Sequence, residues 1–404
     1  MFTNRLQSIS FIAILAGCVW VLAPASRVLA HEVDQYTVPA DKDMVDLGDY
    51  FNEYFIAAIE EGVRRTNKRI DRALGGDGSQ FTRADRKYGS GALKTYDTSP
   101  GGQTLAFLYS DRAVAQYVRR SIPDAVTLIE GLERVLHSKE MTEQYPGQVV
   151  AFHPSDFKCV FAKVHFPLDP RSLFRLWRAS SIKTYGTYGG TDKIGHFVDM
   201  GYHYYKVYTQ LRNKKGLSER KAMVGAVHAF ETGLLSENSV LGYATAGAYS
   251  NGDMAANYVG CLFYRNLTEP VRLKGKLRPP IVVRSGDYWK VNDYVRGEPD
   301  FFSWFISEHY DEALNPSHYE KGMQKAMRRA ITQRCTSLAA WYAAENGHRR
   351  PPAYFRDKVY ELATYYNTDY GHSRKFDQLI NLGDICQEAL GNKSTGQTQP
   401  EGAP

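Results

Sequence analysis

The sequence is poor in cysteine, with five in 404 residues and no CxxC pair, so a thiolate zinc site of the usual spacing is excluded. It is equally short of long hydrophobic runs. After residue 30 nothing approaches the roughly 18 apolar residues that a membrane-spanning helix needs, which rules out a polytopic transporter or channel. Strong charge of one sign is missing too: the net charge is +6, and a chain without residues 1 to 30 loses Arg5 and Arg27 and falls to +4. No basic stripe with interleaved aromatics is visible along the chain, so nucleic acid is set aside as a partner. No internal repeat is present.

What remains is a composition able to bury a core. Hydrophobic residues make up 43% and charged residues 23%, with 34 Gly and 17 Pro, which excludes a disordered or collagen-like chain. The mean hydropathy of −0.43 averages one strongly apolar N-terminal segment with a polar remainder. The 28 tyrosines suit amphipathic contact surfaces, or equally cores whose hydroxyls find partners.

Residues 1 to 30 carry Arg5, an apolar stretch from Phe11 to Ala25, then Val28-Leu29-Ala30 before the polar start His31-Glu32. This is the pattern of a secretory signal cleaved before His31. Leu15-Ala16-Gly17-Cys18 fits the competing lipoprotein pattern, in which the Cys is acylated, although Val19 to Pro24 stay apolar where a polar tether is usual. An uncleaved anchor is the third alternative. The expected location is therefore periplasmic, or attached to the envelope membrane by a lipid or N-terminal anchor. The four later cysteines, Cys159, Cys261, Cys335 and Cys386, allow three pairings in an oxidising compartment; chain order favours Cys335 with Cys386, and Cys261 reads equally as a small buried residue.

Periodicity predicts a mainly α fold, an irregular helical bundle with long loops and at most a minor β component. Helices are expected at about 44–74, 104–120, 123–138, 171–180, 192–212, 218–235, 252–266, 302–313, 317–346, 352–366 and 374–389. Segments 147–166 and 279–296 have the composition of short strands or extended loops. Residues 75–102 and 185–191 read as flexible Gly-rich connectors, and 391–404 as a disordered tail. The organisation that follows is an N-terminal helical region 31–170, a central core 171–268, and a C-terminal helical region 269–390.

Chemistry concentrates in the central region. With Thr191 as N-cap, Asp192, His196, Asp199 and His203 fall at offsets 0, 4, 7 and 11 and share one helical stripe. Ile194, Phe197, Val198, Tyr204, Tyr205 and Tyr208 form the apolar back. A solvated polar face would account for the stripe, but such faces favour Lys and Glu, whereas Asp and His at i, i+4 suit metal ligation or acid/base work. In Ala222 to Leu235 only His228, Glu231 and Thr232 interrupt an apolar sequence, so this helix is expected to be buried on most sides and Glu231 to need an ion pair, a proton or a bound cation. His228 reads as a hydrogen-bonded core residue. Further on, Asp253 and Asn257 share a face with Gly260, where a helix can approach closely. Ser250 to Asp253 fits a capping box, which would explain Asp253 but not Asn257.

The order Asp192-Lys193-x-x-His196, a helix bearing Glu231, then Ser250-x-x-Asp253-x-x-x-Asn257-x-x-Gly260 resembles the YfiM-type family of bacterial envelope lipoproteins, whose function is unknown. It is more distantly similar to VanZ-like membrane proteins. The similarity covers about residues 189 to 265. It implies that Asp192, Lys193, His196, Glu231, Asp253 and Asn257 belong to one site and that the protein works at the cell envelope. Unlike the often apolar family segments, Tyr202 to Tyr208 and Leu234 to Tyr243 are amphipathic or interrupted by Glu237 and Asn238.

Two functions are carried forward. In the first, the polar cluster is a network orienting three helices in an envelope protein with a structural or binding role, its partner an envelope lipid, glycan or protein. In the second, a metal-assisted hydrolase acts on an envelope lipid, phosphate ester or glycan. His196, Asp192 and Asp253 would then hold a divalent metal, Glu231 would be the base, and Lys193 or Asn257 would contact substrate. His309 and Glu312 share a helical face and read as an exposed pair. The basic segment Lys321 to Arg334 reads as a solvated face or a contact for anionic lipid or glycan.

Overall fold

The computed structural model describes residues 32–33, 35–38, 43–75, 100–153, 178–231, 247–343, 349–362 and 379–390. The signal segment, Cys159, most of the expected helix 171–180 and the C-terminal tail lie outside them. The fold is mainly α, its strands confined to short two-stranded pairs. Among the described residues no helix is long and apolar enough to cross a membrane.

The first helix, α1 (Gly48–Leu74), owes its length to an apolar stripe of Phe51, Phe55, Ile59 and Val63, spaced four apart and buried. Its basic residues Arg64, Arg65 and Arg72 stay outside. The expected helix 104–120 is two helices, α2 (Pro100–Leu108) and α3 (Asp111–Arg119), because Ser110 takes an extended backbone and starts a new N-terminus. α3 lies tightly on α1: a Cβ on Gly62 would fall 2.6 Å from the Val118 Cα. α4 (Ala125–Leu136) is capped by Asp124, whose carboxylate accepts from the Thr127 N–H, and α5 (Lys139–Gln144) by Ser138.

Parallel pairing joins β1 (Glu32–Val33) to β2 (Arg178–Ala179). The hairpin of β3 (Ser181–Thr184) and β4 (Thr187–Gly190) then leads directly into the site. Its turn residues Tyr185 and Gly186 both have positive φ, 50° and 75°, as a twisted two-residue hairpin turn requires. The Asp46 carboxylate accepts from both of their N–H groups, at 2.7 and 2.6 Å. Residues 185–191 are thus a pinned hairpin arm, not the flexible connector that their glycines suggested.

Helix α6 (Thr191–Gly195) passes through a π-helical turn, His196–Met200, into α7 (Gly201–Lys215). α8 (Glu219–Glu231) follows. It was expected to be buried on most sides, but it buries one face, Ala222, Met223, Ala226 and Val227, while Val224 is 39% exposed and His228 is on the surface. The enclosed helix is α9 (Asn251–Asn266), all of whose residues are buried. The difference lies in size: Gly252, Ala255, Ala256 and Gly260 allow neighbours to close on every side. At Gly260 a Cβ would sit 2.1 Å from the Phe197 carbonyl oxygen.

Two hairpins, β6 (Val271–Leu273) with β7 (Lys276–Arg278) and β8 (Val282–Ser285) with β9 (Tyr288–Val291), and the short α10 (Tyr294–Gly297) come next. The expected helix 302–313 is not formed. Short 3₁₀ turns at Phe301–Phe305 and Glu308–Tyr310 lead into irregular chain, where Asp311 accepts from the Ala313 and Leu314 N–H groups and Gln35 from that of Glu312. Side chains have replaced the helical carbonyls as acceptors for Glu312 and Ala313, while Asn315 still donates to the Asp311 carbonyl. The expected 317–346 helix is likewise divided, into β10 (His318–Tyr319) paired with β5 (Ala248–Tyr249), α11 (Lys321–Thr332) and α12 (Cys335–Trp341). α13 (Pro352–Glu361) and α14 (Leu382–Ile385) complete the fold.

One buried apolar cluster gathers residues from Val45 to Tyr310; a second collects Tyr36, Ala248 and residues from Ala313 to Leu390. The first is built around Phe55, which stacks on Phe302 with centroids 4.0 Å apart and meets Phe197 edge-on at 5.5 Å. The second is stapled by the Cys335–Cys386 disulfide, the pair that chain order favours, while Cys261 is free and buried.

Candidate functional site: a buried lysine among three carboxylates

Thr191 opens α6, and the cap position belongs to Gly190, not Thr191. The Thr191 hydroxyl instead donates to Glu133 of α4 at 2.5 Å. The same carboxylate accepts from the Ser180 N–H at 2.9 Å and from its hydroxyl at 2.5 Å, with His137 beside it at 3.4 Å. Although burial pushes the Glu133 carboxyl up, these neighbours outweigh it and bring its pKa down to about 2. The start of the site helix is thereby tied to α4.

One residue later the chain delivers Asp192 and Lys193 into the interior. Lys193 is 1% exposed. Its Nζ lies 2.8 Å from Asp192 Oδ2, 2.7 Å from Asp253 Oδ1 on α9, 2.7 Å from Glu312 Oε1 and 3.4 Å from Ser250 Oγ. Ser250 caps α9 by accepting from the Asp253 N–H at 3.1 Å, and its hydroxyl donates to Glu312 at 3.0 Å. The cap therefore uses only the Asp253 backbone and leaves its carboxylate to face Lys193 and His196. Gly252 makes room for the lysine: a Cβ there would fall 2.9 Å from Lys193 Cε.

His196 extends the network. Its Nδ1 is 3.1 Å from Asn257 Oδ1 and its Nε2 is 3.4 Å from Asp253 Oδ2. Asn257 is buried inside α9, and this bond gives the poor helix former a partner. Burial holds His196 below its ordinary pKa against the opposing pull of Asp253. Burial also pushes the Asp192 carboxyl up to about 7; the Lys193 ammonium opposes the rise and the Asp253 and Glu312 charges add to it. For Asp253 burial acts upward as well, but His196 and Lys193 prevail and its pKa is lowered. Asp192 and Asp253, on either side of one ammonium, are thus pushed in opposite directions, and Asp192 is the one that holds a proton more tightly.

The structure thus gathers five of the six residues singled out from sequence, Asp192, Lys193, His196, Asp253 and Asn257. The sixth, Glu231, ends α8 and its side chain lies outside the described residues. The single polar stripe is not formed, because the π turn inserts extra backbone after His196. Asp199 instead pairs with Arg119 of α3, and His203 is exposed. Nor is the α6 face solvated, since Thr191 to Gly195 are all buried. His228, expected in the core, is at the surface.

Glu312 was missed. Read as half of an exposed pair with His309, it is fully buried, while His309 is half-buried beside Ser307. The available signal was the doublet Asp311-Glu312 between an aromatic run and Ala313-Leu314, where a charge must find a partner. Its neighbour Asp311 faces the second apolar cluster and accepts from the Tyr342 hydroxyl at 2.8 Å and from Gln35 Nε2 at 3.1 Å. Burial pushes Asp311 up to about 7 in spite of these donors.

The donor set does not fit the expected divalent metal. Asp192 Oδ2 and Asp253 Oδ1 both point at the Lys193 ammonium, which takes the position a metal bound between them would need. Among the described residues no three His, Cys, Asp or Glu side chains are grouped to hold a metal ion. Comparison of the chain with protein-family models, with curated proteins and with solved structures finds no match in any of the three.

Proposed function

We propose that the protein is an exported component of the bacterial envelope with a structural or binding role, in which the Lys193 network fixes α6, α9 and the 308–315 segment against one another. One observation carries the structural part: a 1% exposed ammonium takes a carboxylate oxygen from each of Asp192, Asp253 and Glu312. All three donors of that ammonium can be taken up by buried carboxylates, an arrangement that suits a packing role for Lys193. The envelope part is supported by the signal-like residues 1 to 30, by the Cys335–Cys386 disulfide, which belongs to an oxidising compartment, and by the YfiM-like order of residues 192 to 260.

The test is to express the full chain in a bacterial host, fractionate the cells, and label free thiols before and after reduction. Recovery in the periplasmic or membrane fraction with Cys335 and Cys386 protected until reduction is expected; a cytoplasmic protein with both thiols reactive would overturn the envelope reading. The hydrolase alternative makes an opposite statement about composition. Stoichiometric Zn, Mn, Ca or Mg in the purified protein, lost in Asp253→Asn, would displace the structural reading.

A further inference from the structure

Basic residues from three separate stretches of the chain meet on one surface. Arg64, Arg65, Lys68, Arg69 and Arg72 occupy positions i, i+1, i+4, i+5 and i+8 of α1, within a single arc of the helix. With Arg120 they line a cavity of about 340 Å³. Arg120 also lines a second cavity of about 240 Å³, shared with Arg112, Arg119, Lys206 and Tyr202. Among the described residues no acidic side chain lines either cavity.

Several of these cations are held in place from behind. Glu61 takes Arg64 through Nε and Nη2 at 2.6 and 2.7 Å and Arg65 through Nε at 2.6 Å. Arg65 Nη1 donates to the Arg120 carbonyl at 2.9 Å, which joins the end of α3 to α1. Arg119 is fixed by Asp199 and by the Ile122 and Pro123 carbonyls. Lys206 lies over the Tyr202 ring at 5.2 Å, and burial and the Arg119 charge hold its pKa below the ordinary value. Glu61 and Asp199 pair with three of these nine cations and pre-orient them, and the surplus of positive charge on this surface favours an anionic ligand. Seven of the nine cations are arginine, whose planar fork matches phosphate oxygens two at a time.

We infer that the two cavities joined at Arg120 form a binding site for a ligand carrying at least two phosphate groups, one seated against α1 and the other between α3 and α7. The inference is independent of the envelope reading and of the buried Lys193 network. The phosphates can belong to a soluble molecule or to a lipid headgroup, and the experiment separates the two.

Calorimetric titration of the full chain with sodium tripolyphosphate is expected to show saturable binding, with orthophosphate at least about tenfold weaker because it spans only one cavity. Lys68→Ala with Arg72→Ala should weaken tripolyphosphate by about tenfold or more, and Lys206→Ala by a smaller factor. The control pair Lys325→Ala with Arg329→Ala, on the exposed face of α11, should change it by less than about twofold. Flotation with vesicles containing cardiolipin, whose headgroup carries two phosphates, then assigns the source: binding displaced by tripolyphosphate points to a lipid headgroup, and no flotation to a soluble ligand. Non-saturable binding, equal losses in the α1 and α11 pairs, or a DNA duplex that binds more tightly than tripolyphosphate would each overturn the inference.

Discussion

Lys193 and Glu312 meet at 2.7 Å although 119 residues separate them in the chain, and both side chains are essentially closed to solvent. The two residues are not equivalent in this pair. Removing the lysine leaves Asp192, Asp253 and Glu312 facing one another without a cation, whereas removing one acid reduces an excess of negative charge. Lys193→Met should therefore cost about 3 to 5 kcal/mol of unfolding free energy, and Glu312→Gln less than half of that. Urea denaturation of the two variants measures both, and a larger loss in Glu312→Gln would contradict the charge count.

The raised pKa of Asp192 sets a pH dependence. With a value of 3.8 unfolded and about 7 folded, the carboxyl binds its proton more tightly in the native state. Its stabilisation is complete below about pH 4 and is lost as pH rises through about 7. Asp311, also raised to about 7, acts in the same direction, whereas His196, lowered by burial, favours folding at the upper end of this range and loses that contribution as pH falls below its ordinary value of 6.5. Asp192→Asn should flatten the decline of the urea midpoint across this window, by up to about 1.4 kcal/mol per pH unit in free energy. An unchanged slope would show that Asp192 is ionised throughout.

Helical spacing made most of the site legible. Asp192 with His196, and Asp253 with Asn257, stand four apart on what are locally helices, so sequence placed each pair on one face. Glu312 could not be found in this way, because its segment follows side-chain acceptors at Asp311 and Gln35 and has no helical period. The π turn was hidden for a related reason: a 3.6-residue period carried through Met200 sends Asp199 and His203 to the wrong side. Apolar content also misidentified the buried helix, choosing 222–235 over 251–266, where small residues rather than large ones permit enclosure. The basic surface escaped because the cluster at 64–72 of α1 gains its partners, Arg112, Arg119, Arg120 and Lys206, from distant parts of the chain.

The disulfide closes a span of 51 residues between Cys335 and Cys386 around the second apolar cluster. Loop-closure entropy for that length gives about 4 kcal/mol as an upper figure for what the bond contributes against the unfolded chain. Cys335→Ser with Cys386→Ser should lower the unfolding free energy by about 2 to 4 kcal/mol. Peptide mapping without reduction should recover the 335–386 link in protein from an oxidising compartment; free thiols at both positions there would refute the pairing.

The contact between α9 and the π turn offers the sharpest test of how the site is positioned. Gly260 faces Gly201, and a Cβ added at Gly260 would meet the Phe197 carbonyl at 2.1 Å, which is backbone and cannot swing aside. Gly260→Ala must therefore push α9 away from the segment that carries His196, stretching its bonds to Asn257 and Asp253. Overpacking of this kind costs about 1 to 3 kcal/mol or more, and the displacement should reach the imidazole. Following the His196 ring by NMR against pH, the variant is expected to titrate closer to its ordinary value of 6.5 as water enters and burial is relieved. Gly131→Ala is the control, because a Cβ at Gly131 inside α4 meets nothing within 4 Å; it should raise stability by up to about 1 kcal/mol and leave the His196 titration unchanged. If Gly260→Ala behaves like that control, close approach of these two backbones is not what places His196 against Asn257.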